Sequence, residues 1–89
     1  MEHQDAKHLL RAAFDASAVL EQLIVDVGDR LGDAESKALR FQIGTVLNEM
    51  GVLYETAFTS APDLRPADNN EDWTRLRELV GAGQLTRRT

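Results

Sequence analysis

The chain has 89 residues, 43% of them apolar, no cysteine and a formal charge of −5. That length holds one domain at most, near the size at which a single core becomes marginal, and the apolar share argues for a folded chain over wholesale disorder. Lack of cysteine excludes a disulfide framework, a thiolate metal site and a thiol nucleophile, while seven acidic groups against three basic ones in residues 1–33 repel phosphates and disfavour nucleic acid.

A first helix is expected from about Asp5 to about Val27, after a flexible start at residues 1–4. Ala6, Leu9, Leu10, Ala13, Ser17, Leu20, Leu23, Ile24 and Val27 form a stripe at helical spacing, and Leu31 continues its phase. Lys7, His8, Asp15, Glu21, Gln22 and Asp29 make the solvated side. The segment from Gly28 to Asp33 then breaks the pattern. Glycine there permits a left-handed C-terminal cap, and Asp33 suits the N-cap of the next helix.

The second helix, from about Ala34 to about Ser60, is the clearest element in the chain. Leu39, Ile43, Val46, Met50, Leu53 and Ala57 recur at steps of four, three, four, three and four, which is one face of an α-helix and no face of a strand. Leu47, Tyr54 and Phe58 widen that face, so it must meet more than one neighbour. Gly44 and Gly51 lie on one side of the arc. Each costs about 1 kcal/mol relative to alanine in mid-helix, a cost that close approach of another backbone or of an aromatic ring would justify.

Residues 61–69 read as a linker, because Pro62 and Pro66 restrict themselves and the residues before them. A short third helix is expected from Asn70. Asp68 and Glu71 have the spacing of a capping box, and Glu71 and Asp72 suit the positive end of the helix dipole. The helix carries Trp73, Leu76, Leu79 and Val80 and ends at Gly81, and residues 83–89 follow as a flexible end.

These elements give a single all-α domain over residues 1–89. Each long helix is roughly 35–40 Å at 1.5 Å per residue, longer than the roughly 30 Å breadth of a compact chain this size. The two must therefore form an elongated antiparallel hairpin. A hairpin leaves half of each apolar face wet, and a short third helix cannot cover all of it. A second copy would complete a four-helix bundle about a two-fold axis, so a homodimer is expected. In the competing arrangement the third helix folds back into a monomeric three-helix bundle.

Chemical groups are few. His3 and His8 are the only histidines. Asp5 and His8 have the step used in di-iron bundles, but the further inward carboxylates of such sites are lacking. Glu49 lies with Gln42 on the polar side of the second helix and has no second acid for acid–base work. The chain shows no Gly-rich phosphate loop, nucleophile elbow or phosphotransfer histidine motif. No catalytic, cofactor-binding or metal residue is expected, nor a small-molecule substrate, and the chain does not read as an enzyme. Trp73 is expected to pin the third helix to the hairpin, with Tyr54 an anchor whose hydroxyl reaches the rim. Arg87 and Arg88 are expected to be solvated.

The sequence therefore points to a small helical interaction module: an adaptor, regulator or assembly subunit. Its interface is expected to comprise Leu39, Ile43, Val46, Leu47, Met50, Leu53, Tyr54, Phe58 and Trp73, with Gly44 and Gly51 at close helix packing. The expected partners are a second copy and another protein. The alternative is a small acidic inhibitor or immunity-type protein that binds one target. No apolar run approaches the roughly 20 residues of a membrane span, and no basic segment leads into an apolar run at the start, so the expected location is the cytoplasm. Eight arginines against two lysines hint at a GC-rich bacterial or phage genome.

Overall fold

The computed structural model describes residues 1–83. It contains α1 (His3–Gly28), α2 (Asp33–Ser60), a 3-10 turn (Pro62–Leu64) and α3 (Asn70–Val80), and no strand among the described residues. α1 and α2 form the expected hairpin. The radius of gyration is 14.7 Å and the extents are 44 × 28 × 24 Å, longer than the radius of about 12 Å expected of a compact chain of this length.

The helices are where their apolar periodicity places them, but several ends differ. α1 starts at His3, inside the segment expected to be flexible, and the His3 imidazole is held at 2.8 Å by Asp63. The turn between the long helices uses no left-handed glycine. α1 runs through Gly28 and leaves through Asp29 in the right-handed region. Gly32 rather than Asp33 is the N-cap of α2, and it has no side-chain cap bond. Asp33 instead opens the first turn, where its charge still favours the dipole. At α3 the cap is displaced by one residue from the expected box. The Asn69 side chain accepts from the Asp72 backbone N–H at 2.9 Å. Gly81, with φ 79°, closes α3 in the left-handed conformation that glycine adopts without strain.

The linker is more structured than its two prolines suggest. Its 3-10 turn drives Leu64 into the core. Arg65 then holds Glu55 of α2 through two hydrogen bonds of 2.9 Å and lies 5.1 Å over the Phe58 ring.

The main core sits at one end of the hairpin, where the two chain ends of the long helices meet α3. It comprises Ala6, Leu10 and Phe14 of α1; Ala57 and Phe58 of α2, with Ala61; Leu64; and Leu76 and Val80 of α3. α3 lies across the flank of α1 that carries Phe14 and Asp15, which corrects two readings. Phe14 is a core residue, although it was outside the expected stripe. Asp15 is buried, although it was placed on the solvated side. One oxygen of Asp15 accepts from the Gly83 backbone N–H and ties the end of α3 to α1, while the other has no hydrogen-bond partner.

Candidate interaction surface

Four aromatic rings fix which side of the hairpin α3 occupies. The Trp73 ring lies 6.2, 6.1 and 6.0 Å from those of Phe14, Tyr54 and Phe58, at steep interplanar angles. Phe14 and Tyr54 pack at 5.1 Å. Edge-to-face packing at these separations is the arrangement the ring quadrupoles prefer. Trp73 thus pins α3 to both long helices, as its position predicted. The Tyr54 hydroxyl meets Ser17 Oγ at 3.1 Å on the rim of this cluster, and Arg77 lies 5.2 Å over Phe14.

The expected interface residues divide once the chain is folded. Ile43 and Phe58 are buried within the chain and have no surface to offer a second copy. Tyr54 and Trp73 belong to the aromatic cluster. Leu39, Leu47 and Met50 are half-buried between the long helices. Only Val46 and Leu53 remain on an open margin of the arc, 44% and 39% exposed. The correction has one cause: α1 and α3 together cover more of α2 than a bare hairpin would.

Rotation about the axes shows what accompanies Val46 and Leu53. Phe14 and Phe58 mark the flank under α3. A step of about 100° per residue carries Val19 and Leu23 to the opposite flank of α1, and Val46 and Leu53 to the same flank of α2. Val19 and Leu23 are also exposed. Four aliphatic side chains from two helices therefore share one side of the hairpin, beyond the reach of α3. The sequence placed Leu23 in the buried stripe and passed over Val19. Charged neighbours of this strip include Asp26 and Glu49, both exposed.

Gly44 and Gly51 are not close-packed within the chain. A Cβ built on either meets no described atom within 4 Å, although both follow the Phe58 side of α2 at steps of seven residues. Further round the outer side of α2 Phe41 is 76% and Val52 60% exposed, two apolar residues that the main periodicity did not include.

His8 is exposed, as expected of its face, and no group of three or more potential metal ligands occurs among the described residues. A groove of about 490 Å³ lies beside the aromatic cluster, lined by Phe14, Ser17, Ala18, Glu21, Leu47, Tyr54 and Arg77, and its two hydroxyls bond each other. The Arg65 hydrogen bonds hold the Glu55 carboxyl below its ordinary range, and the His3 hydrogen bond does the same for Asp63. No helix among the described residues is long and apolar enough to cross a membrane. Arg87 and Arg88 lie outside the described residues, as does the expected flexible end beyond Gly83.

The fold is thus an all-α hairpin buttressed at one end by a short third helix, with Val19, Leu23, Val46 and Leu53 exposed on the flank opposite that helix. Compared with known protein families, curated proteins and solved structures, the chain finds no match.

Proposed function

We propose that the protein is a non-enzymatic helical interaction module of the cytoplasm, acting as an adaptor, regulator or assembly subunit, and that it self-associates through the hairpin flank opposite α3. The observation that supports this reading is the strip of Val19, Leu23, Val46 and Leu53, exposed on two adjacent helices. Full burial of such a side chain contributes about 1.5–3 kcal/mol relative to leaving it in water. Each of these is already partly covered, so four per copy, doubled by a two-fold axis, represent several kcal/mol of unused association energy. A contiguous apolar strip rimmed by acids is also what a protein partner would recognise.

Light scattering on a sizing column at micromolar concentration tests the contact. The expected mass is a multiple of the 9.9 kDa chain, and a chain carrying both Leu23→Glu and Val46→Glu should show a lower mass with unchanged helical circular dichroism. A wild-type mass of one chain would remove self-association from the reading. An unchanged mass in the double variant would move the contact elsewhere on the surface.

A further inference from the structure

We infer that the outer side of α2, turned away from α1, is a second self-association surface, on which an antiparallel α2 of another copy docks in a register centred at the level of Val46. This contact is separate from the flank contact proposed above and does not rest on it.

The surface is a second helical seam. Lys37, Phe41, Gly44, Asn48, Gly51 and Glu55 follow steps of four, three, four, three and four. The inward seam of Leu39, Ile43, Val46, Met50, Leu53 and Ala57 has the same steps, offset by two residues. An offset of two residues is about 200° of rotation, so the two seams face in nearly opposite directions. The inward seam supplies Ile43 and Ala57 to the chain's own core. The outward one is largely open: Phe41 is the most exposed large apolar residue among those described, and Gly44 and Gly51 open onto space.

The occupant follows from the seam's self-complementarity. Antiparallel helices pair the residues of one seam in reverse order. With the two-fold axis at the level of Val46, Phe41 of each copy stands opposite Gly51 of the other, a large ring against the one position type that leaves room for it. Gly44 stands opposite Asn48. Lys37 stands opposite Glu55 at both ends, opposite charges in facing positions. One register satisfies the bulk, the space and the charge together, and the symmetry repeats each pairing twice over about 27 Å of helix. Glu55 already accepts from Arg65 at both oxygens, but a carboxylate has about four acceptor positions, so a lysine at its edge adds to that pair without displacing it. Mid-helix glycines that no part of the chain approaches acquire a purpose in this contact, because they let a second backbone come close.

Native cysteine is absent, so engineered thiols report the register directly. Chains carrying Gly44→Cys and chains carrying Asn48→Cys are mixed and mildly oxidised. The expected result is a mixed cross-linked pair severalfold more abundant than either self-linked pair. Adding Phe41→Asp to both chains should abolish that preference and lower the mass by light scattering, with helicity unchanged because the residue is exposed. The random yield from equal amounts of the two chains, a mixed pair only about twice as abundant as either self-linked pair, or a preference that survives Phe41→Asp, overturns the inference. The link is expected to persist in chains that also carry Leu23→Glu and Val46→Glu, so failure of the flank contact and failure of this one are read separately.

Discussion

Asp15 shows how far a single residue can depart from the pattern around it. Its position on α1 is that of a solvated residue, and only the arrival of α3 encloses it. A buried carboxylate is costly unless bonded, and here one oxygen is satisfied by the Gly83 amide. No local spacing in the sequence announces a partner 68 positions away. The exposed pairs are equally non-local but have simpler consequences. Arg65 lowers Glu55 from its ordinary 4.5, and His3 lowers Asp63 from its ordinary 3.8, in both cases mainly by hydrogen bonding. A carboxyl whose folded value lies below its unfolded one stabilises the fold fully above the unfolded value, and that contribution is lost as pH falls through the folded value. Stability is therefore expected to fall on acidification below 4.5, and Glu55→Gln should be less stable than the wild type at neutral pH but should converge on it in acid. Urea unfolding followed across that range checks the sign, and curves that stay parallel would mean that the Arg65–Glu55 contact adds nothing. High salt should shrink the difference, since both groups are solvated.

At the scale of elements, legibility followed periodicity. α2 was readable because its apolar steps persist through the whole helix, and α1 because its stripe does so with one polar member. α3 was readable from its capping residues, its acidic first turn and Gly81. The caps between the long helices were misassigned because Gly28 and Asp33 are compatible with more than one turn geometry, and the geometry adopted needs no left-handed residue. The 3-10 turn was hidden because proline marks a break in a helix but does not say what replaces it. Division of the α2 face was unreadable for a different reason. Sequence spacing shows that a residue is apolar on a given side, but which neighbour covers it depends on how α3 returns. Trp73 is the residue that decides this. An eleven-residue helix is too short to persist alone, so Trp73→Ala should cost about 3 kcal/mol and release α3. Chemical denaturation gives the energy, and loss of helical circular dichroism in native buffer reports the release. The wild-type tryptophan emission should be blue-shifted. A solvent-like emission, or a variant as stable as the wild type, would contradict the anchoring role.

Over the whole molecule, the apolar core is unequally distributed. The buttressed end has three helices and the aromatic cluster, whereas the end near the turn has two helices, with Ile43 its one buried aliphatic residue among those described. The elongated hairpin was legible because helix length alone required it. The return of α3 onto one end was expected of Trp73, which packs there against Phe14, Tyr54 and Phe58. It does not remove the need for other contacts, because it covers one flank over part of the length. Val46 and Leu53 are what stays exposed of the face that the sequence had assigned to α2, and Val19, Phe41 and Val52 lie outside that assignment.

The position of the core also sets when this protein can first become folded during synthesis. Residues near both limits of the described chain meet there, Ala6 at one and Val80 at the other. A nascent chain emerging from the ribosome can wind α1 and α2 early, yet Leu10, Phe14 and Phe58 stay wet until Trp73, Leu76 and Val80 have cleared the exit tunnel. Everything through Val80 must therefore be made before the main core can close, and the long loop between its halves must close with it. A chain stopped after Ala67 reproduces that intermediate. It is expected to bind a hydrophobic dye strongly and to lose its cooperative melt, whereas the 89-residue chain should do neither. A stopped chain that melts cooperatively without binding dye would show that the hairpin folds unaided, and that α3 docks onto a structure already formed.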